Sequence, residues 1–363
     1  MMLRFLAVRG RRLRALLIRS QARGYSALEA LFLVLPRAVV LKAYAKFAQS
    51  VNGRILNRFM NEGRLRQFNA QHPHAPDSGS HFFVIVMPDT LHFLLPCLRL
   101  IPRHVRVSLL YNGAQAWERR YLRQTFPETS GIRLWTLPRS SLAHGDVLSL
   151  LLRTSPENFA ILDHDLYVFD PSIFENLTLG PKECMRAIYR EVNPRTGITY
   201  PLTYFLVLNA ASLRAIMTRF DVDARLYREA PRQTRRVLEG IGLGQRTYLK
   251  DYHSFFDTLH VLLALAYANG EHVGYIEGHD ESDVIHIGGT SGGSYLTKDL
   301  FQVYARIRFL EHANSPILRR KYAKLYSRFT SSEQVRGLLS QTSEADLAVM
   351  DNLMARLGQQ ATP

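Results

Sequence analysis

The stretch Asn158-Phe159-Ala160-Ile161-Leu162-Asp163-His164-Asp165-Leu166-Tyr167-Val168-Phe169-Asp170 decides how this chain is to be read. An apolar run of strand length leads into two carboxylates separated by one residue. Side chains alternate along a strand, so Asp163 and Asp165 are expected on one side of it. Two like charges held that close repel unless a cation lies between them. Mg²⁺ and Mn²⁺ accept hard oxygen ligands and keep positions open for a phosphate, so the pair is a candidate seat for a divalent metal. An Asp-x-Asp is also a common solvated turn, and its weight comes from its surroundings.

Upstream, His81 to Pro88 reads as a buried first strand, and His104 to Tyr111 is a second, closed by Asn112-Gly113. Ala116 to Phe126 is helical in pattern, Ile132 to Leu137 is a third strand, and Leu142 to Arg153 is a helix leading into the fourth strand. Downstream, residues 172–200 read as irregular. Tyr204 to Leu208 is a strand ending in Asn209, and Ala211 to Phe220 is a helix. A helix is predicted over Asp251 to Asn269, because Phe255, Leu259, Leu262, Leu263 and Ala266 share a face, with Gly270 ending it. His272 to Ile276 is a short strand. The acidic loop Glu277 to Asp283 then enters Val284-Ile285-His286-Ile287-Gly288-Gly289-Thr290-Ser291-Gly292-Gly293-Ser294. Gly240, Gly242 and Gly244 follow a helical stretch rather than a strand, so they do not make a dinucleotide fingerprint. The last 65 or so residues read as amphipathic helices.

These elements predict an α/β fold with a mostly parallel central sheet flanked by helices and with helical extensions at both ends. Ligands of such sheets sit beyond the carboxyl ends of the strands, where the aspartates fall. The expected division is a basic amphipathic helical region over 1–68, a linker over 69–80, the main domain over 81–294 and a helical extension over 295–363.

The 363 residues, 47% of them hydrophobic, support a sizeable core. Two cysteines, Cys97 and Cys184, indicate neither a disulfide framework nor a structural zinc site, and fit a reducing, cytoplasmic setting. The formal net charge of +15 asks for an anionic partner: a nucleic acid, an acidic lipid surface or a phosphorylated substrate. No nucleic-acid-binding signature is present in the sequence, so nucleic acid is not expected. Residues 1–24 carry seven arginines and no acid, interleaved with leucines. That is the pattern of a helix lying peripherally on an anionic membrane face, with a solvated helix or frayed tail as the plainer alternative and an organellar transit peptide as a third reading. Ala27 to Leu41 is interrupted by Glu29, Pro36 and Arg37 and is too short to span a bilayer.

In order and spacing, several segments resemble the nucleotide-sugar-dependent glycosyltransferases of the GT-A fold. They are Phe82 to Met87, Ser141-Leu142-Ala143-His144-Gly145-Asp146-Val147-Leu148, Asp163-His164-Asp165, the Asp251-led segment and His286-Ile287-Gly288-Gly289, and together they cover about residues 81–294. The resemblance implies that the Asp-x-Asp carboxylates hold Mn²⁺ or Mg²⁺ against the diphosphate of a nucleoside-diphosphate sugar. Asp165 would be the direct ligand, Asp163 would contact metal-bound water or the donor ribose, and His286 would complete the metal shell. It places His144 and Asp146 beside the nucleotide, with Asp89 as a comparable contact. It also makes Asp251 the candidate catalytic base of an inverting enzyme, although Lys250 precedes it where an acidic residue is usual, and Asp257 is a second candidate. Simple helix capping would account equally for Asp251 and for the His144 segment.

The resulting expectation is a metal-dependent glycosyltransferase acting on a glycan or lipid-linked acceptor, with Arg186, Arg190, Tyr200 and Asn209 on the acceptor side. A nucleotidyl- or phosphotransferase using the aspartates for metal, and a non-catalytic membrane-associated binding protein, are the alternatives.

Overall fold

The computed structural model describes residues 26–72, 81–244, 247–289, 300–323, 329–339 and 344–360. The arginine-rich residues 1–24, linker residues 73–80 and the glycine loop from Thr290 to Ser294 lie outside the described residues. The chain forms two compact units, Ala48–Pro88 with Arg99–His286, and Met1–Phe47 with Asp89–Leu98 and Ile287–Pro363.

In the first unit the strands are β1 (Phe82–Val86), β2 (Val107–Tyr111), β3 (Ser130–Arg133), β4 (Phe159–Leu162), β5 (Leu166–Val168), β6 (Glu183–Ala187), β7 (Arg190–Val192), β8 (Thr199–Pro201), β9 (Phe205–Leu208), β10 (His272–Tyr275) and β11 (Val284–His286). A seven-stranded sheet runs β10-β6-β9-β4-β1-β2-β3. Its pairings are parallel except where β9 lies antiparallel between β4 and β6, so the expected mostly parallel α/β sheet is present. β1, β2, β4 and β9 are buried along their whole length, which is why they are continuous apolar runs rather than alternating ones. Helices His144–Thr154, Ala210–Phe220 and His260–Ala268 cover the sheet with Leu148, Leu151, Leu213, Ile216, Leu262 and Leu265 in one core.

Several local expectations are corrected. The aspartates do not lie on the strand: β4 ends at Leu162, and Asp163-His164-Asp165 form the turn into β5. The helix expected from Asp251 begins only at His260. Upstream, Phe256 exchanges backbone hydrogen bonds with Tyr227, the Leu259 N–H donates to the Ala224 carbonyl, and Leu259 is left-handed at φ 68°. Backbone groups committed sideways in this way cannot make helical bonds. Residues 172–200, expected to be irregular, contain β6, β7 and β8. β6 escapes notice because Glu183 and Arg186 interrupt its apolar pattern, and the two neutralise each other at 2.7 Å. The third strand ends at Arg133, four residues early, because the Trp135 and Leu137 N–H groups turn to asparagine side chains.

Those asparagines come from the segment expected to stand apart as a basic N-terminal region. Residues Asn52–Asn61 are π-helical and continue into an α-helix over Glu62–Gln71. Asn52 and Asn61 are nine residues apart, which is two and a half α-turns and would set them on opposite sides. It is about two of the wider π-turns, at roughly 4.4 residues each, so Asn52, Asn57 and Asn61 face inward together and all three are buried. Asn52 accepts from the Leu137 N–H at 2.9 Å and donates to the Ser141 carbonyl at 3.1 Å, and Asn57 donates to the Asp146 carbonyl at 3.1 Å. Asn61 accepts from the Trp135 N–H at 2.7 Å and donates to the Trp135 carbonyl at 3.1 Å. The three side chains stand in for the missing neighbour strand along residues 135–146.

The second unit is helical among its described residues, with Leu300–Ala313, Pro316–Tyr322, Ser332–Arg336 and Glu344–Gln360. Phe93 packs on Phe309 at 4.8 Å between ring centroids, and Arg336 pairs with both carboxylate oxygens of Asp351 at 3.0 and 2.8 Å. Its N-terminal helix exposes Phe32, Val39, Val40 and Phe47. No helix of the described residues is long and apolar enough to cross a membrane.

Replacing Asn61 by Ala strands the Trp135 N–H and carbonyl in a buried setting and is expected to cost about 1–3 kcal/mol. Thermal unfolding should fall by about 2–4 °C per kcal/mol, while exposed Gln67→Ala leaves it unchanged.

Candidate metal and nucleotide site

Three elements converge on one point. β4 delivers Asp163 at its carboxyl end, and the turn that follows delivers Asp165. β11 pairs antiparallel with β5, setting His286 opposite Leu166 and so beside Asp165. One ligand atom each from Asp163, Asp165 and His286 lies within 4.8 Å of the others. The His286 Nε2 is 3.4 Å from Asp165 Oδ1 and 3.9 Å from Asp163 Oδ2. Because β9 runs antiparallel to β4, its preceding residue Tyr204 falls next to Asp163, whose N–H donates to the Tyr204 carbonyl at 2.9 Å. The Tyr204 ring stacks on His286 at 4.2 Å and fixes the imidazole plane.

Burial, and after it the charge of Asp165, pushes the Asp163 pKa up to about 7. Burial disfavours the imidazolium of His286, but its hydrogen bond to Asp165 and the two carboxylate charges outweigh that and raise its pKa. Each group thus responds to an excess of negative charge, which a divalent ion would neutralise. Two carboxylates and one imidazole are a donor set that fits Mn²⁺ or Mg²⁺, with positions left for other ligands.

His144 opens the helix His144–Thr154 and lines a cavity of about 340 Å³ with Ser50, Arg54, Asp146, Arg225 and Thr258. Burial lowers the His144 pKa to about 4, so the ring is neutral at pH 7, and Asp257, His164 and Asp165 all lie close enough to act on it. Its Nε2 is buried with no hydrogen-bond partner among the described residues. Gly145 is required by contact: a Cβ there would meet the Ala224 carbonyl oxygen at 2.6 Å. Asp146 is buried with its carboxylate 3.6 Å from the Arg225 Nε, and burial raises its pKa to about 6.

The other expected residues separate. Asp251 is exposed in a turn and caps no helix. Asp257 is half-buried, accepts from the Thr258 N–H at 2.9 Å and sits 3.5 Å from the Lys250 Nζ. Burial would favour its neutral form, but that N–H, His260 and Lys250 prevail and hold its pKa down. Asp89 belongs to the other unit, where it is left-handed at φ 61° and its carbonyl accepts from Arg306. Arg186 is tied to Glu183, and Asn209 caps the helix Ala210–Phe220. Arg190 lies over the Tyr275 ring, 5.4 Å from its centroid, and Tyr200 donates to Glu191, which also accepts from Tyr252. Tyr204 and Glu191 were not singled out from sequence. Their place depends on the antiparallel insertion of β9 and on the β7–β8 hairpin, which no spacing along the chain discloses.

Residues 58–213 match the family model described as the StrH glycosyltransferase N-terminal domain. The matched segment begins in the π-helical stretch, ends in the helix after β9, and contains His144, Asp146, Asp163 and Asp165. The likeness is to a glycosyltransferase domain and covers less than half of this chain. Among solved structures, the chain is similar to the glycosyltransferase GlyE of Streptococcus pneumoniae TIGR4, at 11% identity over 55% of this chain and 45% of that one, with a TM-score of 0.31. It is also similar to the apo structure of the bifunctional glycosyltransferase WbbM, at 11% identity over 71% and 53%, with a TM-score of 0.37. The chain spans about half the length of these structures, and likenesses this remote carry no inference. No curated protein matches the chain.

His260 gives a pH dependence separate from the metal cluster. Its Nδ1 accepts from the Asp257 N–H at 3.2 Å, and burial lowers its pKa to about 3. The unfolded chain, with a histidine pKa near 6.5, therefore binds the extra proton between these values. The stability contributed is complete above about pH 6.5 and is lost as pH falls toward 3. Urea unfolding of His260→Gln should show a shallower loss of stability than the parent between pH 6.5 and 4.5, by at most about 1.4 kcal/mol per pH unit.

Proposed function

We propose that the first unit is a metal-dependent glycosyltransferase that binds a nucleoside-diphosphate sugar through a divalent cation held by Asp163, Asp165 and His286. The convergence of these three side chains at the end of β4 carries the proposal, and the glycosyltransferase match over residues 58–213 supports it. When bound, the cation supplies Lewis-acid stabilisation of the charge that gathers on the departing nucleoside diphosphate.

The chain's own groups do the rest. Tyr204 keeps the His286 ring aligned by stacking. Neutral His144 offers its unpartnered Nε2 to the nucleotide, and the helix N-terminus it occupies favours an anion. Arg225, half exposed beside Asp146 and Asp223, adds positive charge to the same cavity. If the anomeric centre is inverted, the acceptor hydroxyl needs a base. We assign that role to Asp257 rather than Asp251, because Asp257 acts on His144 and is kept ionised by the Thr258 N–H, His260 and Lys250, as a base must be before it takes a proton. The acceptor is a glycan or a lipid-linked sugar.

Calorimetric titration of UDP and GDP, each with and without Mn²⁺, tests the cation. One of the two should bind only with the metal, and Asp165→Asn should weaken that binding at least about tenfold, since it removes a charged ligand. Equal binding without metal, or binding unaffected by Asp165→Asn, overturns the proposal.

With the donor found by that screen, Asp257→Asn is expected to lower turnover by about 10²- to 10⁴-fold while nucleotide affinity is kept. Asp251→Asn should stay within about twofold of the parent. The reverse ranking would return the base to Asp251.

A further inference from the structure

We propose that the outer face of the helical segment 52–71, together with Trp135, is a docking surface for an anionic phospholipid bilayer. This is independent of the catalytic reading, and of its side chains only Arg54 also lines the His144 cavity.

The winding that turns Asn52, Asn57 and Asn61 inward turns Ile55 and Phe59 outward, where they are 51% and 74% exposed. Met60 and Trp135, each 39% exposed, continue the apolar surface down the flank on which Asn61 binds the Trp135 backbone. Aromatic and aliphatic side chains this open to water gain by moving into an apolar phase. Around them stand four exposed arginines, Arg54, Arg58, Arg64 and Arg66. The one carboxylate of the segment, Glu62, is engaged by the Arg153 Nε at 2.7 Å.

Trp135 joins the two features. The Arg64 guanidinium lies 6.0 Å and that of Arg133 5.4 Å from its ring centroid. An indole flanked by guanidinium groups suits the headgroup layer, with the ring at the depth of the glycerol esters and the cations on the phosphates. Positive charge continues behind it, where burial and the charges of Arg133 and Arg123 hold the Arg119 pKa below its ordinary value. Charge complementarity therefore selects an anionic partner, and the protruding Ile55, Phe59 and Met60 select one with an apolar interior. A second copy docking through the same face would set one row of arginines against another.

Residues 1–24 are also basic, so the test must report from the surface itself. The chain has two tryptophans, and Trp117→Phe leaves Trp135 as the single fluorophore in the full-length protein. With vesicles of phosphatidylcholine and phosphatidylglycerol, Trp135 emission should shift to the blue and be quenched by acyl-chain-brominated lipid. Phosphatidylcholine alone should do neither, and added salt should reverse both effects. Combining Phe59→Ser with Arg58→Gln and Arg64→Gln should weaken co-sedimentation about tenfold or more without lowering the thermal unfolding temperature. The proposal is overturned if the chain sediments with the vesicles while Trp135 emission stays fixed, or does not sediment at all. It is equally overturned if the Phe59 variant breaks a dimer of the parent, or if RNA shifts Trp135 where vesicles do not.

Discussion

Two carboxylates in one half-buried turn cannot both stay charged at low cost, and that repulsion is the constraint around which the first unit is arranged. Asp163 shows it directly, with burial and the neighbouring Asp165 raising its pKa to about 7. The relief present in the chain itself comes from far along the sequence. β11 returns to pair with β5, and its last residue, His286, comes to lie 3.4 Å from Asp165. A fold that only needed to pack would leave this turn apolar. Glu183 and Arg186 show how the same chain neutralises a buried charge for structural ends, by a direct ion pair with its oxygens filled. Asp163 and Asp165 instead have an imidazole at 3.9 and 3.4 Å, a side chain of a type that ligates metals.

The second device is the asparagine row. Residues 135–146 have no neighbouring strand, yet they carry the approach to His144 and Asp146. Asn52, Asn57 and Asn61 supply donors and acceptors to that run of backbone, from the Trp135 N–H to the Asp146 carbonyl. An amide side chain can do this because it offers both a donor and an acceptor, as a peptide group does. The π-helical winding is what allows three such side chains to face one way. The His144 cavity thereby gains a wall, in Ser50 and Arg54, from the segment that also exposes the arginine face.

What the sequence disclosed and what it hid divide along physical lines. β1, β2, β4 and β9 were legible because strands buried on both faces need unbroken apolar runs, and the Asp pair because its chemistry is local. His286 came through resemblance to a family order of segments, not from its own surroundings. The segment 251–259 was misread because Phe255 and Leu259 happen to fall at helical spacing, while backbone bonds to residues 224–227 decide its conformation. β6 was hidden by a charge pair, and Tyr204 by the antiparallel insertion of β9. The asparagine clamp was invisible to a search at the α-helical period, since at that period Asn52 and Asn61 point apart.

The large positive charge looked at first like an answer to a phosphate-bearing substrate, and the structure divides it differently. In the reading proposed above the diphosphate meets Asp163, Asp165 and His286, so its attraction would pass through a cation rather than through arginines. Of the basic residues around it, Lys250 is engaged by Asp257, and Arg225 by Asp223 and Asp146. Four exposed arginines stand instead on the helical face with Phe59, and Arg64 and Arg133 flank Trp135. A donor diphosphate and an extended anionic surface thus make opposite demands, one on a few fixed ligands in a cleft, the other on many mobile charges over an area. On the two proposals above, the first demand falls to carboxylates and a metal, which leaves the excess of arginine for the second.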